Sequence, residues 1–118
     1  MKTKVIVCGG RNFNNKDVVF TVLSKLNPDI VIHGGATGAD ELAGRWACEN
    51  EKEVRVYQAA WSVHGKYAGP FRNKKMLNEE LEGLSGVIAF PGGKGTDNMV
   101  KLATAALGEN KVVKVNIK

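Results

Sequence analysis

Three groups of glycines, each placed directly behind a short β-branched run, constrain the fold of this 118-residue chain more than any other feature. The segments read VIVCGGR, DIVIHGGATGAD and VIAFPGGKGTDN, and they hold eight of the 14 glycines: Gly9 and Gly10; Gly34, Gly35 and Gly38; Gly92, Gly93 and Gly95. Nearly continuous apolar runs of this length are expected of parallel strands buried on both faces. The pattern predicts five strands, at 4–8, 29–33, 54–57, 86–90 and 112–117. Helix-period stripes lie between them: Val19, Val22, Leu23 and Leu26; Leu42, Ala43, Trp46 and Ala47; Leu77, Leu81 and Leu84; Met99, Ala103, Ala106 and Leu107. Asn15, Thr37 and Thr96 are the expected N-caps, with Asp40 closing a capping box on Thr37. The plan is α/β: a Rossmann-like, doubly wound parallel sheet of five strands with helices on both faces, in one domain spanning residues 1–118.

Strand order follows from the glycines. All strands of a parallel sheet end at one edge, so the three loops share that edge, and they form one site only if strands 1, 2 and 4 are neighbours. The order 3-2-1-4-5 achieves this; 2-1-3-4-5 inserts strand 3 and disperses them. Glycine lets backbone N–H groups approach a ligand closely, and helix N-termini add unpaired donors and partial positive charge, so the edge reads as an anion site suited to phosphate. The segment 58–70 is the one long connection, a common place for function.

The charge points to the same edge. Against 17 Lys and Arg stand 12 Asp and Glu, a formal +5. Residues 60–78 hold Lys66, Arg72, Lys74 and Lys75 and no acid, so four of the five positive charges fall there. A compact basic segment beside glycine turns favours a small anionic ligand over a nucleic-acid surface. Apolar content of 43% and charged content of 25% exclude a disordered chain. No apolar run reaches membrane-spanning length and no secretory signal is readable, so a cytoplasmic protein without membrane partners is expected. Cys8 and Cys48 then read as free, small apolar residues.

Known nucleotide fingerprints do not fit. A G-x-G-x-x-G motif fails at the second loop, where His33 replaces the first glycine, and at the last loop, where Asn98 replaces the third. A Walker A loop needs Ser or Thr after its lysine, and Lys94 is followed by Gly95. His33 and His64 have no Cys or acid at metal-ligand spacing, so no metal is expected. The candidate ligand residues are Gly9, Gly10, Arg11, Gly34, Gly35, Thr37, Gly38, Asp40, Arg72, Asn73, Gly92, Gly93, Lys94, Gly95 and Thr96. Arg11 and Arg72 are candidate phosphate clamps. Trp61, Tyr67 and Phe71 are candidate rings for stacking on a base. Asp40, Arg72 and Asp97 are the catalytic candidates should the site do chemistry.

GGR after strand 1, GGATGAD after strand 2, GPFRNKKM opening the third helix and FPGGKGTDNM after strand 4 together resemble the SLOG superfamily. That Rossmann-like group holds the DprA/Smf DNA-processing proteins and the LOG phosphoribohydrolases, and the resemblance is strongest to its small stand-alone YspA/YpsA-related members. It spans residues 5–106. It implies the 3-2-1-4-5 order, homo-oligomers, no required cofactor, and a pocket for nucleotides, nucleotide sugars or NAD-derived ligands such as ADP-ribose, or for cyclic nucleotides. LOG enzymes cleave an N-glycosidic bond with an Arg upstream of PGGxGT and a Glu just after it. Arg72 matches that Arg, but Asn98 and Met99 stand where the glutamates fall, and such a reaction needs a carboxylate. The expectation is therefore a protein that binds its nucleotide as sensor or sequestering protein. LOG-like hydrolysis is the alternative, and DprA-like single-stranded DNA binding through residues 60–78 comes third.

Overall fold

The structure is a computed structural model that describes residues 2–116. Its elements are β1 (Lys4–Cys8), α1 (Lys16–Leu26), β2 (Ile30–His33), α2 (Ala39–Glu49), β3 (Glu53–Val56), α3 (Trp61–His64), α4 (Ala68–Glu80), β4 (Leu84–Ala89), α5 (Lys94–Leu107) and β5 (Val112–Lys114), with 3₁₀ turns at Gly65–Tyr67 and Glu109–Lys111. The five strands pair in parallel in the order 3-2-1-4-5, as the glycine argument requires.

The period of two in β1 builds two cores. Val5 and Val7 point to one face, where Val31, Ile88 and Phe90 meet Val19 and Leu23 of α1 and Ala43, Trp46 and Ala47 of α2. Ile6 and Cys8 point to the other, where Ile32, Val87 and Ala89 meet Met76 and Leu77 of α4 and Met99 and Ala103 of α5. Trp46, Phe90, Ile6 and Met99 are essentially without exposed surface. Fully burying each of these side chains contributes about 1.5–3 kcal/mol.

Helix boundaries depart from expectation in instructive ways. Asn15 does cap α1, its side chain accepting from the Val18 N–H at 3.2 Å, and Asn27 closes the helix in the left-handed region at φ 47°. Thr37 does not cap α2, which starts after Gly38; the Thr37 hydroxyl instead donates to the Arg11 carbonyl at 3.1 Å. Asp40 makes no capping box, because its carboxylate turns back to Gly34 and Ala36. Nor does Thr96 cap α5: the helix begins two residues earlier, at Lys94, and Thr96 is buried in its first turn. Leu84 leaves the helical stripe and opens β4, Ala106 is exposed, and Cys48 is an exposed thiol, unlike the buried Cys8. The connection 58–70 is not a long loop. It folds into α3 and a 3₁₀ turn, and α4 begins at Ala68, so Pro70 sits in a first turn where its missing N–H costs nothing. The predicted strand 112–117 is seen as Val112–Lys114; its last residue lies outside the described residues.

Candidate functional site

The three glycine loops are tied to one another by hydrogen bonds. Gly10 N–H donates to the Pro91 carbonyl at 2.9 Å, joining the loops after β1 and β4. Ala39 N–H donates to the Gly10 carbonyl at 3.2 Å, seating the start of α2 on the loop after β1. Gly38 is obligatory at that contact, since its φ is 78° and a Cβ would run into the Gly10 carbonyl oxygen. Arg72 of α4 closes the ring from above: Nη1 donates to the Gly34 carbonyl and Nε to Asn73 Oδ1 at 2.9 Å. The Asn73 amide passes the link to α5, donating to the Gly95 carbonyl at 3.1 Å and to Asn98 Oδ1 at 3.0 Å.

The ring encloses a cleft of about 520 Å³ at the C-terminal edge of the sheet. Its floor is Val7, Cys8 and Met76, and its charged lining is Arg11, Lys66, Arg72, Lys94 and Asp40. Gly93, Lys94, Gly95 and Thr96 bring the N-terminus of α5 to the same space; the first N–H groups of a helix have no acceptor within it, so this end offers donors and partial positive charge. A second compartment of about 220 Å³ adjoins, lined by Gly35, Thr37, Gln58 and Ala59 and sharing Arg11, Gly34, Ala36, Trp61 and Arg72 with the first.

The loops are not equivalent. After β2 the backbone donors are already in use: Gly34 and Ala36 N–H donate to Asp40 Oδ2 at 3.0 and 3.3 Å, and Gly35 N–H to His33 Nδ1 at 3.0 Å. His33 thereby presents an unprotonated Nδ1, and burial first and Arg72 second hold its pKa below the ordinary value. Asp40 acts as an internal anion that fills the nest a phosphate would otherwise take. Among the described residues its other oxygen, Oδ1, has no donor, and no fully buried side-chain oxygen lacks one, so Oδ1 opens into the cleft that Asp40 lines. Burial raises the Asp40 pKa against the pull of the two N–H groups, Arg72 and Arg11. The donors left for a ligand include those of α5, the two arginines and Lys66.

Burial also lowers the Arg72 pKa; Asp40 opposes the shift, and the neighbouring Arg11 adds to it. None of the ion pairs among the described residues involves Arg11, Lys66, Arg72 or Lys94. Arg72 Nη2 has no protein acceptor among these residues. The Arg11 guanidinium carbon instead lies 5.1 Å from the centroid of the Trp61 ring, a cation–π contact at the boundary of the two compartments. Cys8 is inert as a nucleophile, its pKa pushed up to about 12 by burial first and the Asp40 charge second.

Of the expected residues, Gly9, Gly10, Arg11, Gly34, Asp40, Arg72, Asn73, Gly93, Lys94, Gly95, Thr96 and Trp61 meet at the larger compartment, while Gly35 and Thr37 line the smaller one. Gly38 lines neither, and its work is the α2 contact. Gly92 and Asp97 face a different depression beside β5. Tyr67 lies outside both compartments beside Lys66, and Phe71 stacks on His64 with centroids 4.3 Å apart in a further depression. Lys66 is the cation of the basic segment that joins Arg72 in the cleft, while Gln58 and Ala59 are not among the expected ligand residues. Gln58 stands at the same sheet edge, two residues past the end of β3, so the rule that located the glycines points to it as well.

The sequence model of the YspA, cpYpsA-related SLOG family matches residues 3–64, which include two of the three glycine loops. A curated relative, the Gene 61 protein of Mycobacterium phage D29, is 33% identical over 115 residues, covering 87% of this chain and 90% of that protein. No helix among the described residues is long and apolar enough to cross a membrane. With the strand order, the glycine loops and RNKKM and PGGKGT all in place, the chain belongs to the YspA, cpYpsA-related SLOG family.

Proposed function

We propose that the protein binds a nucleotide or nucleotide sugar in the cleft and releases it unchanged, as a sensor or sequestering protein. The observation that carries this reading is the charge of the cleft. Four cations without ion-pair partners among the described residues line the cleft together with the N-terminus of α5, and the one carboxylate among them is half committed to backbone N–H groups. An anionic ligand relieves that repulsion, and a base fits the apolar floor. Titration calorimetry with AMP, ADP, ADP-ribose, NAD and cyclic dinucleotides tests it: heat of binding with at least one is expected, and no heat with any overturns the reading. A homo-oligomer in the cytoplasm remains the expected setting.

Asp40 supports a second reading, hydrolysis of an N-glycosidic bond. Its Oδ1 opens into the cleft and its pKa is raised, the condition of a carboxylate able to exchange a proton. Chromatography after incubation separates the two, since a bound ligand is recovered whole and a hydrolysed one as base and ribose phosphate.

A further inference from the structure

Asn73 lines the cleft, yet its side chain has no hydrogen left to offer a ligand. It is buried, and the chemistry of its neighbours fixes which way the amide points. Arg72 Nε–H can only donate, so the Asn73 atom that meets it at 2.9 Å is Oδ1. The Gly95 carbonyl can only accept, so the atom that meets it at 3.1 Å is Nδ2, and the two ends of the amide agree. The second hydrogen of Nδ2 goes to Asn98 Oδ1 at 3.0 Å. What remains is a lone pair on Oδ1, which repels an anion.

The groups that Asn73 joins belong to two of the donor sets of the cleft. On the α4 side, Arg72 Nη1 donates to the Gly34 and Tyr57 carbonyls, and a Cβ on Gly34 would run into the guanidinium. With Nε taken by Asn73, Nη2 is the edge left for an anion. On the α5 side no side chain caps the helix, and its first internal bond runs from Asp97 N–H to the Gly93 carbonyl at 3.0 Å. The Lys94, Gly95 and Thr96 N–H groups precede that bond. The two helices also meet through Met76, Leu77, Met99 and Ala103, but apolar contact has no direction and does not by itself set one donor against another. We infer that Asn73 is a positioning residue: its one amide holds the Arg72 fork and the first turn of α5 at a fixed spacing, so that a single anionic group meets Nη2 and the helix N–H groups together. This rests on the nucleotide reading above and gives Asn73 a part in it that needs no contact with the ligand. Donors ordered in advance lose no freedom when the ligand arrives.

Two measurements test this. In the ligand-free protein, the Arg72 Nε–H resonance, assigned by its absence in Arg72→Lys, should exchange with water at least about tenfold faster in Asn73→Ala than in the wild type. For binding, the probe is whichever of AMP, ADP, ADP-ribose, NAD and the cyclic dinucleotides the wild type holds most tightly in calorimetry. Its affinity should fall about tenfold in Asn73→Ala, while the double variant Arg72→Ala/Asn73→Ala should bind within about threefold of Arg72→Ala alone, because a spacer has no effect once one of its ends is gone. Asn73→Ser, which leaves a polar group in the same space, repeats both measurements should the alanine variant not fold. Losses that multiply in the double variant, or an Nε–H signal as slow in the variants as in the wild type, overturn the positioning role and leave the nucleotide reading standing. If no nucleotide binds the wild type, that reading falls, and Nε–H exchange alone decides whether Asn73 sets Arg72.

Discussion

Arg72 and Glu80 lie eight residues apart on α4, about 12 Å along the helix axis at 1.5 Å per residue, and the two ends treat charge in opposite ways. Glu80 is buried, and each of its oxygens is paired: Lys4 Nζ at 3.0 Å and Arg55 Nη1 at 2.8 Å on one, the Tyr57 hydroxyl at 2.7 Å on the other. Burial alone would raise its pKa, but the bonds from Tyr57, Lys4 and Arg55 outweigh that and lower it. Tyr57 answers with a pKa pushed well above the ordinary phenol value by burial first, then the hydrogen bond to Glu80 and nearby negative charge. At the Arg72 end the cations have carbonyls and a ring for company but no ion-pair partner among the described residues. A closed network that satisfies its own charges clamps β1, β3 and α4 together. One in which four cations outnumber a single carboxylate, at an open sheet edge, is arranged for something that comes from outside.

The largest effect that tests this contrast belongs to the closed end. Glu80→Ala should lower stability by about 2–3 kcal/mol, the buried-pair cost reduced because Arg55 is partly exposed. Urea unfolding measures that loss, and ADP-ribose affinity should stay unchanged. Because the folded Glu80 pKa lies below the ordinary 4.5, its contribution is present above about pH 4.5 and disappears as pH falls through the folded value. Wild-type protein should therefore lose more stability on acidification than Glu80→Gln. A Glu80→Ala protein that folds normally but no longer binds ligand would show that the two ends are one functional unit.

At the open end, Arg72→Ala should weaken ADP-ribose by about 2 kcal/mol, roughly 30-fold by calorimetry. Arg72→Lys should restore less than half of that, because an ammonium cannot hold Gly34 and Asn73 while presenting a second fork to the ligand. Wild-type affinity in Arg72→Ala would make the bonds from Arg72 to loop and helix its whole purpose, and the two ends of α4 would be alike.

The open end was far more legible in the sequence than the closed one, for physical reasons. Glycines behind strands, a helix start at PGGKGT and an acid-free basic segment are local patterns, and one rule of parallel sheets gathers them at a single edge. The Glu80 cluster joins residues 23 to 76 positions apart, none with a local signature, so only the fold assembles it. The misplaced helix starts share another cause. Thr37 and Thr96 are residue types suited to capping, but tertiary contacts employ the first on the Arg11 carbonyl and bury the second inside the first turn of α5. The four residues of α3 are too few to show a period, and the chain there reads as loop.

Asp40 is the smallest and most discriminating test, because it is the carboxylate at the open end and the counterpart of Glu80. Its folded pKa is raised, so in the absence of ligand its contribution to stability is greatest below 3.8 and declines as pH rises through the folded value. A pyrophosphate nearby adds negative charge and raises that pKa further, so binding takes up protons and tightens as pH falls through the raised pKa. ADP-ribose is the proper probe, since its pyrophosphate has no secondary ionisation near neutral pH to imitate the effect. In Asp40→Asn the amide oxygen can still accept from Gly34 and Ala36 while the charge is gone. Affinity at pH 7 should then rise about threefold, on the order of 0.7 kcal/mol of screened repulsion removed, and the pH dependence should flatten. A loss of affinity instead would mean that Oδ1 receives a hydroxyl of the ligand strongly enough to outweigh the repulsion. A loss of turnover with affinity retained would make Asp40 the carboxylate of a hydrolase.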